Sequence, residues 1–374
     1  MRIVQLIPTL SVGGAERIVA LLAEALRDLG HEVHIIVLGE SEDSWIERDL
    51  REKRMSVTFL GKGAGFDPTI IARLGVALRN VRPQVVHTHL HVLKYLLPTR
   101  AVWRPDAIVH TLHNLAENEA EPADQKVQQA AFRYRVAPVA IGGAVAESVR
   151  ELYALEPATT IPNGIEVARF AAPEGTRQRL RGELSLPEDA PVFIVVGRLN
   201  EQKNHALLLR AFEKVPEHAH LLIVGDGDLR SELQEQAAGM SSRVHFLGIR
   251  RDVPDLLAAA DAFVLASDWE GNPLVVMEAM SAGLPVVATA VGCVPELVVD
   301  GAGALVDKGD EAGLVEAITA LALDPALADR QGTRARAHAE RRFDVAAMAA
   351  DYIDLYTRQS TRQFLRERLT GAAP

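Results

Sequence analysis

Residues 2–38 read RIVQLIPTLSVGGAERIVALLAEALRDLGHEVHIIVL. An aliphatic run at 2–7 leads through a loop with two adjacent glycines into a segment, 15–29, where Ile18, Leu21, Leu22, Ala25 and Leu26 recur at helical spacing. Gly30 stands where a left-handed helix stop is expected, and a second aliphatic run follows at 32–38. Runs that are continuous in Val, Ile and Leu, rather than alternating with polar residues, predict strands covered on both faces. Strand, helix and strand in that order predict a parallel, doubly wound α/β sheet.

The pattern extends over the chain in two series. The first continues with runs at 55–60, 84–88, 107–111 and 138–141. Residues 157–191 then hold Pro157, Pro162, Asn163-Gly164, Pro173, Gly175, Pro187 and Pro191, the densest turn chemistry in the sequence. Runs at 192–196, 221–224, 244–247, 262–265, 285–288 and 304–306 form the second series, and the tail from about Ala312 is helical. This predicts a first Rossmann-like domain over 1–165, a linker over 166–190, a second Rossmann-like domain over 191–345, and a C-terminal helix and tail, 346–374, packing back on the first. Two such domains facing each other form a cleft, a preferred place for a ligand.

Of 374 residues, 48% are hydrophobic and 24% charged, an ordinary soluble composition that excludes disorder and collagen-like chains. No apolar run approaches the roughly 18–20 residues of a spanning helix, and the N-terminus reads as a strand rather than a signal peptide. Cys293 is the single cysteine, which excludes an intrachain disulfide and fits a reducing cytoplasm. Residues 1–180 carry 21 basic and 21 acidic side chains, so the net charge of −10 belongs to the second half. An acidic half argues against a nucleic-acid partner. It leaves peripheral contact with the inner face of a membrane open for the neutral half.

In open parallel sheets ligands sit at strand carboxyl ends, where loops enter helices. The first such loop, Ser11-Val12-Gly13-Gly14-Ala15-Glu16, reads either as a tight turn or as an amide-lined anion site. No dinucleotide fingerprint or P-loop is present. Val196-Gly197-Arg198-Leu199 ends a predicted strand and Lys203 follows, a pair suited to a diphosphate, although a solvated basic pair is the plain alternative. In Ser267-Asp268-Trp269-Glu270-Gly271-Asn272-Pro273-Leu274-Val275-Val276-Met277-Glu278, Asn272 is expected as N-cap and Pro273 at the first helical position, with a stop near Gly283. The amides of Leu274 and Val275 then favour an anion, and the carboxylates of Glu270 and Glu278 would accept from sugar hydroxyls. Together these features describe a nucleotide-sugar site.

The sequence resembles retaining glycosyltransferases of the GT-B fold, family 4 (group 1). The resemblance is carried in order by Gly13-Gly14-Ala15-Glu16, Val86-His87-Thr88-His89, Thr111-Leu112-His113-Asn114, Ile161-Pro162-Asn163-Gly164-Ile165, Val196-Gly197-Arg198-Leu199 with Lys203, Val224-Gly225-Asp226-Gly227, Phe246-Leu247-Gly248, and Glu270 with Glu278 in an E-x7-E element. It implies that Arg198 and Lys203 hold the donor diphosphate, Glu278 the ribose, and Glu270 the donor sugar. Gly271, Asn272, Pro273, Leu274 and Val275 would contact sugar and phosphate. The loop from Gly248 through Arg250 to Val253 would cradle the base, and Gly13 and Gly14 would close on the donor.

His113 would act beside the donor sugar, so that Glu270, His113, Arg198 and Lys203 form the catalytic set. Glu16, His89, His113 and Asn114 would stand on the acceptor side. Asn272 departs from the apolar residue many relatives carry there, which bears on donor-sugar preference.

The implied reaction moves a sugar from a nucleotide-diphosphate sugar, UDP before GDP, to a hydroxyl of a saccharide or lipid-linked saccharide in bacterial surface polysaccharide or lipopolysaccharide assembly. No metal or other cofactor is expected, because Arg198 and Lys203 would neutralise the diphosphate. The triplet His87, His89, His91 suggests a metal site only if one strand runs through all three. Side chains of Lys94, Tyr95, Leu96, Leu97 and Arg100 suit either a lipid-linked acceptor or an ordinary helix with its apolar face inward. A nucleotide-sugar epimerase of the same fold and a non-catalytic nucleotide-sugar-binding protein are the alternative functions.

Overall fold

The computed structural model describes residues 1–11, 13–155 and 159–370, with side chains to 361. Val12, Pro157 of the turn-rich break and the last four residues of the tail lie outside the described residues. The chain divides into two units, one of Met1–Gly164 with Val345–Pro374 and one of Ile165–Asp344.

The first unit holds a parallel sheet of β1 (Arg2–Ile7), β2 (Glu32–Val37), β3 (Ser56–Phe59), β4 (Val85–His89), β5 (Ala107–Leu112), β6 (Val136–Ala140) and β7 (Thr159–Thr160), in the order β3-β2-β1-β4-β5-β6-β7. Ile3, Val4, Leu6 and Ile7 of β1 are fully buried, as strands covered on both faces must be. Helix Gly14–Asp28 buries Ile18, Val19, Leu22 and Leu26 against this sheet, and Gly30 beyond it takes φ +85°. β7 has no aliphatic run and is only two residues long, so periodicity gives no sign of it.

The second unit repeats the design with β8 (Val192–Val196), β9 (His220–Val224), β10 (Val244–Gly248), β11 (Ala262–Leu265), β12 (Val286–Thr289) and β13 (Gly303–Val306), ordered β10-β9-β8-β11-β12-β13 and again parallel. Its core is formed by Phe193, Val195, Leu208, Phe212, Leu221, Ile223 and Val264 among others.

Residues 166–190 are not a linker. They form a short turn at Val167–Phe170 and a helix, Thr176–Glu183, that packs on helix Val253–Ala259. Two arginines fasten that helix: Arg177 Nη1 donates to the Ala260 carbonyl at 2.9 Å, and Arg181 Nη2 meets Asp261 Oδ2 at 2.6 Å. Pro and Gly in this stretch punctuate a folded segment instead of separating two domains. Ile165 pairs with Asp344, and its N–H donates to the Phe343 carbonyl at 2.7 Å, so the second unit begins and ends on adjacent strands of chain.

The C-terminal helix Val345–Thr370 belongs to the first unit, where it buries Met348, Tyr352, Leu355 and Tyr356. Among the described residues no helix is long and apolar enough to cross a membrane.

Candidate active site

Sheet order places the site. In the second sheet the winding reverses between β8 and β11, the position where open parallel sheets accept ligands at their carboxyl ends. The loops leaving these two strands are stitched together: Asp268 N–H donates to the Gln202 carbonyl at 2.8 Å, Gln202 Nε2 to the Trp269 carbonyl at 3.0 Å, and Asn204 Nδ2 to Asp268 Oδ1 at 3.1 Å. Asn204 also caps helix His205–Glu213 through the Leu207 amide, from a left-handed backbone (φ +45°) that asparagine tolerates.

This stitching brings Lys203 to Glu270. Lys203 Nζ lies 2.5 Å from Glu270 Oε1, and Ser267 Oγ donates to the same oxygen at 2.7 Å. Ser267 is itself held by Thr289, whose hydroxyl donates to its carbonyl at 2.6 Å. Only 15% of the Lys203 side chain and 6% of the Glu270 side chain are exposed. Arg198, two residues past the end of β8, is exposed; its carbonyl accepts from the Asn200 N–H at 3.0 Å, and its guanidinium makes no hydrogen bond or ion pair with the described residues. Its turn is kept tight by Gly225 (φ +138°), where a Cβ would stand 1.9 Å from the Gly197 carbonyl oxygen.

Behind Glu270 the chain is pinned by a second loop. Cys293 N–H donates to the Gly271 carbonyl at 2.9 Å, and Gly292 (φ +54°) lies so close that a Cβ would fall 1.8 Å from the Glu270 carbonyl oxygen. With Gly271 so held, the chain stays extended through Pro273 (ψ 113°), and the helix runs Leu274–Ser281 with Pro273 as its cap. It therefore begins one residue later than expected, with Asn272 buried outside it and no side-chain cap. Leu274 and Val275 still carry first-turn amides, and Glu278 is 1% exposed inside the helix. Cys293 is fully buried, as a packing residue is.

At the end of β10, the Gly248 carbonyl accepts from the Gly225 amide at 2.8 Å. Arg250 is half-buried and paired within the loop. Its guanidinium forms a two-point pair with Asp252 (Nε–Oδ1 2.8 Å, Nη2–Oδ2 2.5 Å), which raises the Arg250 pKa and lowers that of Asp252. Val253 opens the following helix, and the loop before it exposes the side chains of Ile249 and Arg251.

The first unit repeats the geometry at its own reversal point, between β1 and β4. Gly13 caps helix Gly14–Asp28, and the carboxylate of Glu16 folds back against it, so that a Cβ on Gly13 would stand 2.2 Å from Glu16 Oε2. The first-turn end thus already faces an acid of its own chain, while Gly14 is exposed with open space around its Cα.

Across β4 and β5 lies a buried polar network of which motif reading finds only His87, His89, Thr111 and His113. His89 Nδ1 meets His113 Nε2 at 2.9 Å and His89 Nε2 meets Gln5 Oε1 at 2.7 Å. His87 Nδ1 meets the Tyr356 hydroxyl at 2.8 Å and His87 Nε2 meets Thr111 Oγ1 at 2.7 Å, which in turn meets the Tyr352 hydroxyl at 2.8 Å. Burial holds His87 and His89 well below the usual histidine pKa and lowers His113 to about 4.

Every ring nitrogen of His87 and His89 is thus committed to a protein partner. β4 ends at His89, Leu90 turns the chain (φ +58°) and His91 leaves the strand, so the three histidines do not share a face. Among the described residues no group of three candidate ligands could hold a metal ion.

Asn114 caps the next amide, Leu115 N–H, at 2.9 Å. Beneath this loop Glu119 accepts from the His113 backbone N–H at 3.2 Å, and burial raises its pKa to about 8. Of the side chains suggested for lipid contact, Tyr95 and Leu96 are buried and Lys94 is bound to Asp124 at 2.8 Å, whereas Leu97 and Arg100 are half-buried and line an open cavity.

Two family models cover most of the chain: glycosyltransferase family 4 over residues 12–169, and glycosyl transferases group 1 over residues 176–338. The chain is 33% identical to a D-inositol 3-phosphate glycosyltransferase of Xylanimonas cellulosilytica over 75% of its length and 73% of that protein. It is 30% identical to the UDP-Gal:alpha-D-GlcNAc-diphosphoundecaprenol alpha-1,3-galactosyltransferase of Escherichia coli over 57% of its length, a match that spans 59% of that protein. Among solved structures, Anabaena HepE in complex with UDP-glucose superposes with a TM-score of 0.85 at 23% identity, covering 96% of this chain and 99% of that one, which identifies the fold as GT-B. Sheet order, site geometry and these matches agree: the chain is a glycosyltransferase and belongs to family 4, the group 1 glycosyl transferases.

Proposed function

We propose that this glycosyltransferase takes its sugar from a nucleotide-diphosphate donor, a UDP-sugar first and a GDP-sugar second, and passes it with retention and without a metal to a hydroxyl of a saccharide or lipid-linked saccharide. The observations that carry this are the buried Lys203–Glu270 pair, the first-turn amides of Leu274 and Val275 that follow it in the chain, and an exposed Arg198 whose guanidinium has no partner among the described residues.

When the bond between the anomeric carbon and the diphosphate breaks, the departing oxygen gains negative charge. A guanidinium fork, an ammonium and first-turn amides stabilise such charge, an effect on the order of several kcal/mol when donors are preorganised. The acceptor hydroxyl forms the new bond to that carbon and gives its proton to the departing diphosphate oxygen. Glu270, held in place by Lys203 and Ser267, orients the sugar; Glu278 takes the ribose; the Gly248–Val253 loop receives the base through backbone groups.

The preference for uridine is supported by the relatives named above, one using UDP-Gal by its name and one seen with UDP-glucose. A lipid-linked acceptor at the inner face of a bacterial membrane is supported by the diphosphoundecaprenol named for the first of these. Retention rests on the family resemblance.

A panel of nucleotide sugars screened by thermal shift, followed by transfer and hydrolysis assays on wild type, Arg198→Ala and Glu270→Ala, tests the proposal. A UDP-sugar should raise Tm and turn over, with both variants strongly impaired. Equal turnover in both variants would overturn the assignment.

A further inference from the structure

Register puts Gln5 of β1 opposite His87 of β4, and His89 opposite Thr111 of β5, so one face of the first sheet carries all four side chains. Gln5 and His89 are fully buried, whereas His113, just past the end of β5, is half-buried. Gln5 Oε1 and His89 Nε2 are 2.7 Å apart. An amide oxygen only accepts, so His89 donates through Nε2.

Burial keeps His89 neutral, leaving it one ring proton, and its Nδ1 is therefore an acceptor. The proton in the 2.9 Å contact between His89 Nδ1 and His113 Nε2 then belongs to His113. His113 is neutral too, lowered to about 4 by burial, so its Nδ1 carries a lone pair. No described residue hydrogen-bonds that nitrogen.

We propose that Gln5 and His89 are positioning residues that fix His113 as its Nε2–H tautomer, so that His113 offers the reacting sugars a hydrogen-bond acceptor and selects a free hydroxyl there. This rests on the reading of His113 as a sugar-facing residue. Direction along the chain is set at Gln5: a side chain whose oxygen faces His89 orders both rings, and apolar replacement at either position releases the order. A packing role alone requires none of this, since aliphatic and aromatic side chains fill the same space without buried polar groups.

The test is long-range proton–nitrogen correlation NMR on the full chain labelled with 15N-histidine, with His113 and His89 assigned from His113→Gln and His89→Asn. At neutral pH both rings should show a protonated Nε2 and an unprotonated Nδ1. Gln5→Leu and His89→Leu should blur His113 into a mixture of tautomers. They should also lower kcat roughly tenfold, the loss of about one oriented hydrogen bond, with donor KM little changed. His89→Asn, which keeps an acceptor near the Nδ1 position, should restore both.

A wild-type His113 protonated at Nδ1, or one whose tautomer ignores Gln5→Leu, overturns the proposal. Because the wild-type spectrum needs no turnover, that failure is separate from a failure to bind any nucleotide sugar, which would overturn the proposed function instead.

Discussion

Lys203 Nζ and Glu270 Oε1 meet at 2.5 Å across two loops that leave neighbouring strands of one sheet. The ammonium that is to neutralise a diphosphate thus also holds the carboxylate that is to orient the sugar. Removing either partner leaves a buried charge without its counterpart. Lys203→Met should therefore destabilise the protein by about 3 kcal/mol in urea unfolding, and adding Glu270→Gln should recover more than half of that. Activity should stay lost in the double variant, which separates the stability of the pair from its chemistry.

Arg198 stands in contrast. It is exposed and its guanidinium binds no described residue, so Arg198→Ala should change stability by less than about 0.5 kcal/mol. The same variant should lower kcat/KM by roughly two to three orders of magnitude, as loss of a preorganised charge donor does. Unfolding curves and steady-state kinetics on one preparation check both.

Gly292 tests the pin behind Glu270. At φ +54° a Cβ would collide with the Glu270 carbonyl oxygen, so Gly292→Ala should cost at least about 2 kcal/mol and most of the activity. Gly30→Ala is the control: φ +85° is also left-handed, but nothing lies within 4 Å, so about 1 kcal/mol should be lost and kcat left intact.

His205 has a pH signature. Both ring nitrogens are buried without a hydrogen bond, and burial, helped by the charge of Lys203, lowers its pKa from 6.5 to about 4. Between those values the unfolded chain binds a proton that the folded chain refuses, so the histidine subtracts stability as pH falls through that window. His205→Leu should be as stable as wild type or more so at pH 7, with the gain growing toward pH 4. The acid slope contributed by His87, His89, His110 and His113 should remain in the variant, since burial lowers those pKa values too.

Both sheets were legible because their strands are aliphatic runs and their helices keep helical spacing; only β7, Thr159–Thr160, has neither signal. The 166–190 segment misled because proline and glycine mark turns in folded and linking chain alike, while the arginines that dock it on Asp261 are 80 or more residues from their partner in sequence. Glu270, Lys203 and Arg198 were legible as residue types beside a predicted helix start. Their supports were not: Ser267 and Thr289 are ordinary loop and strand residues until the sheet brings them together. Gln5 sits inside an aliphatic run, and Tyr352 and Tyr356 lie some 240 or more residues beyond Thr111 and His87, so no local pattern connects them.

We propose that Arg198 and Lys203 grip the diphosphate of an activated sugar. Calorimetric titration of UDP into wild type and Arg198→Ala, at matched ionic strength, tests it most directly. Wild type should show saturable 1:1 binding and the variant at least about tenfold weaker binding, with its unfolding transition unchanged. Equal affinity in the two proteins, or no heat with UDP, GDP or their sugars in wild type, would contradict it.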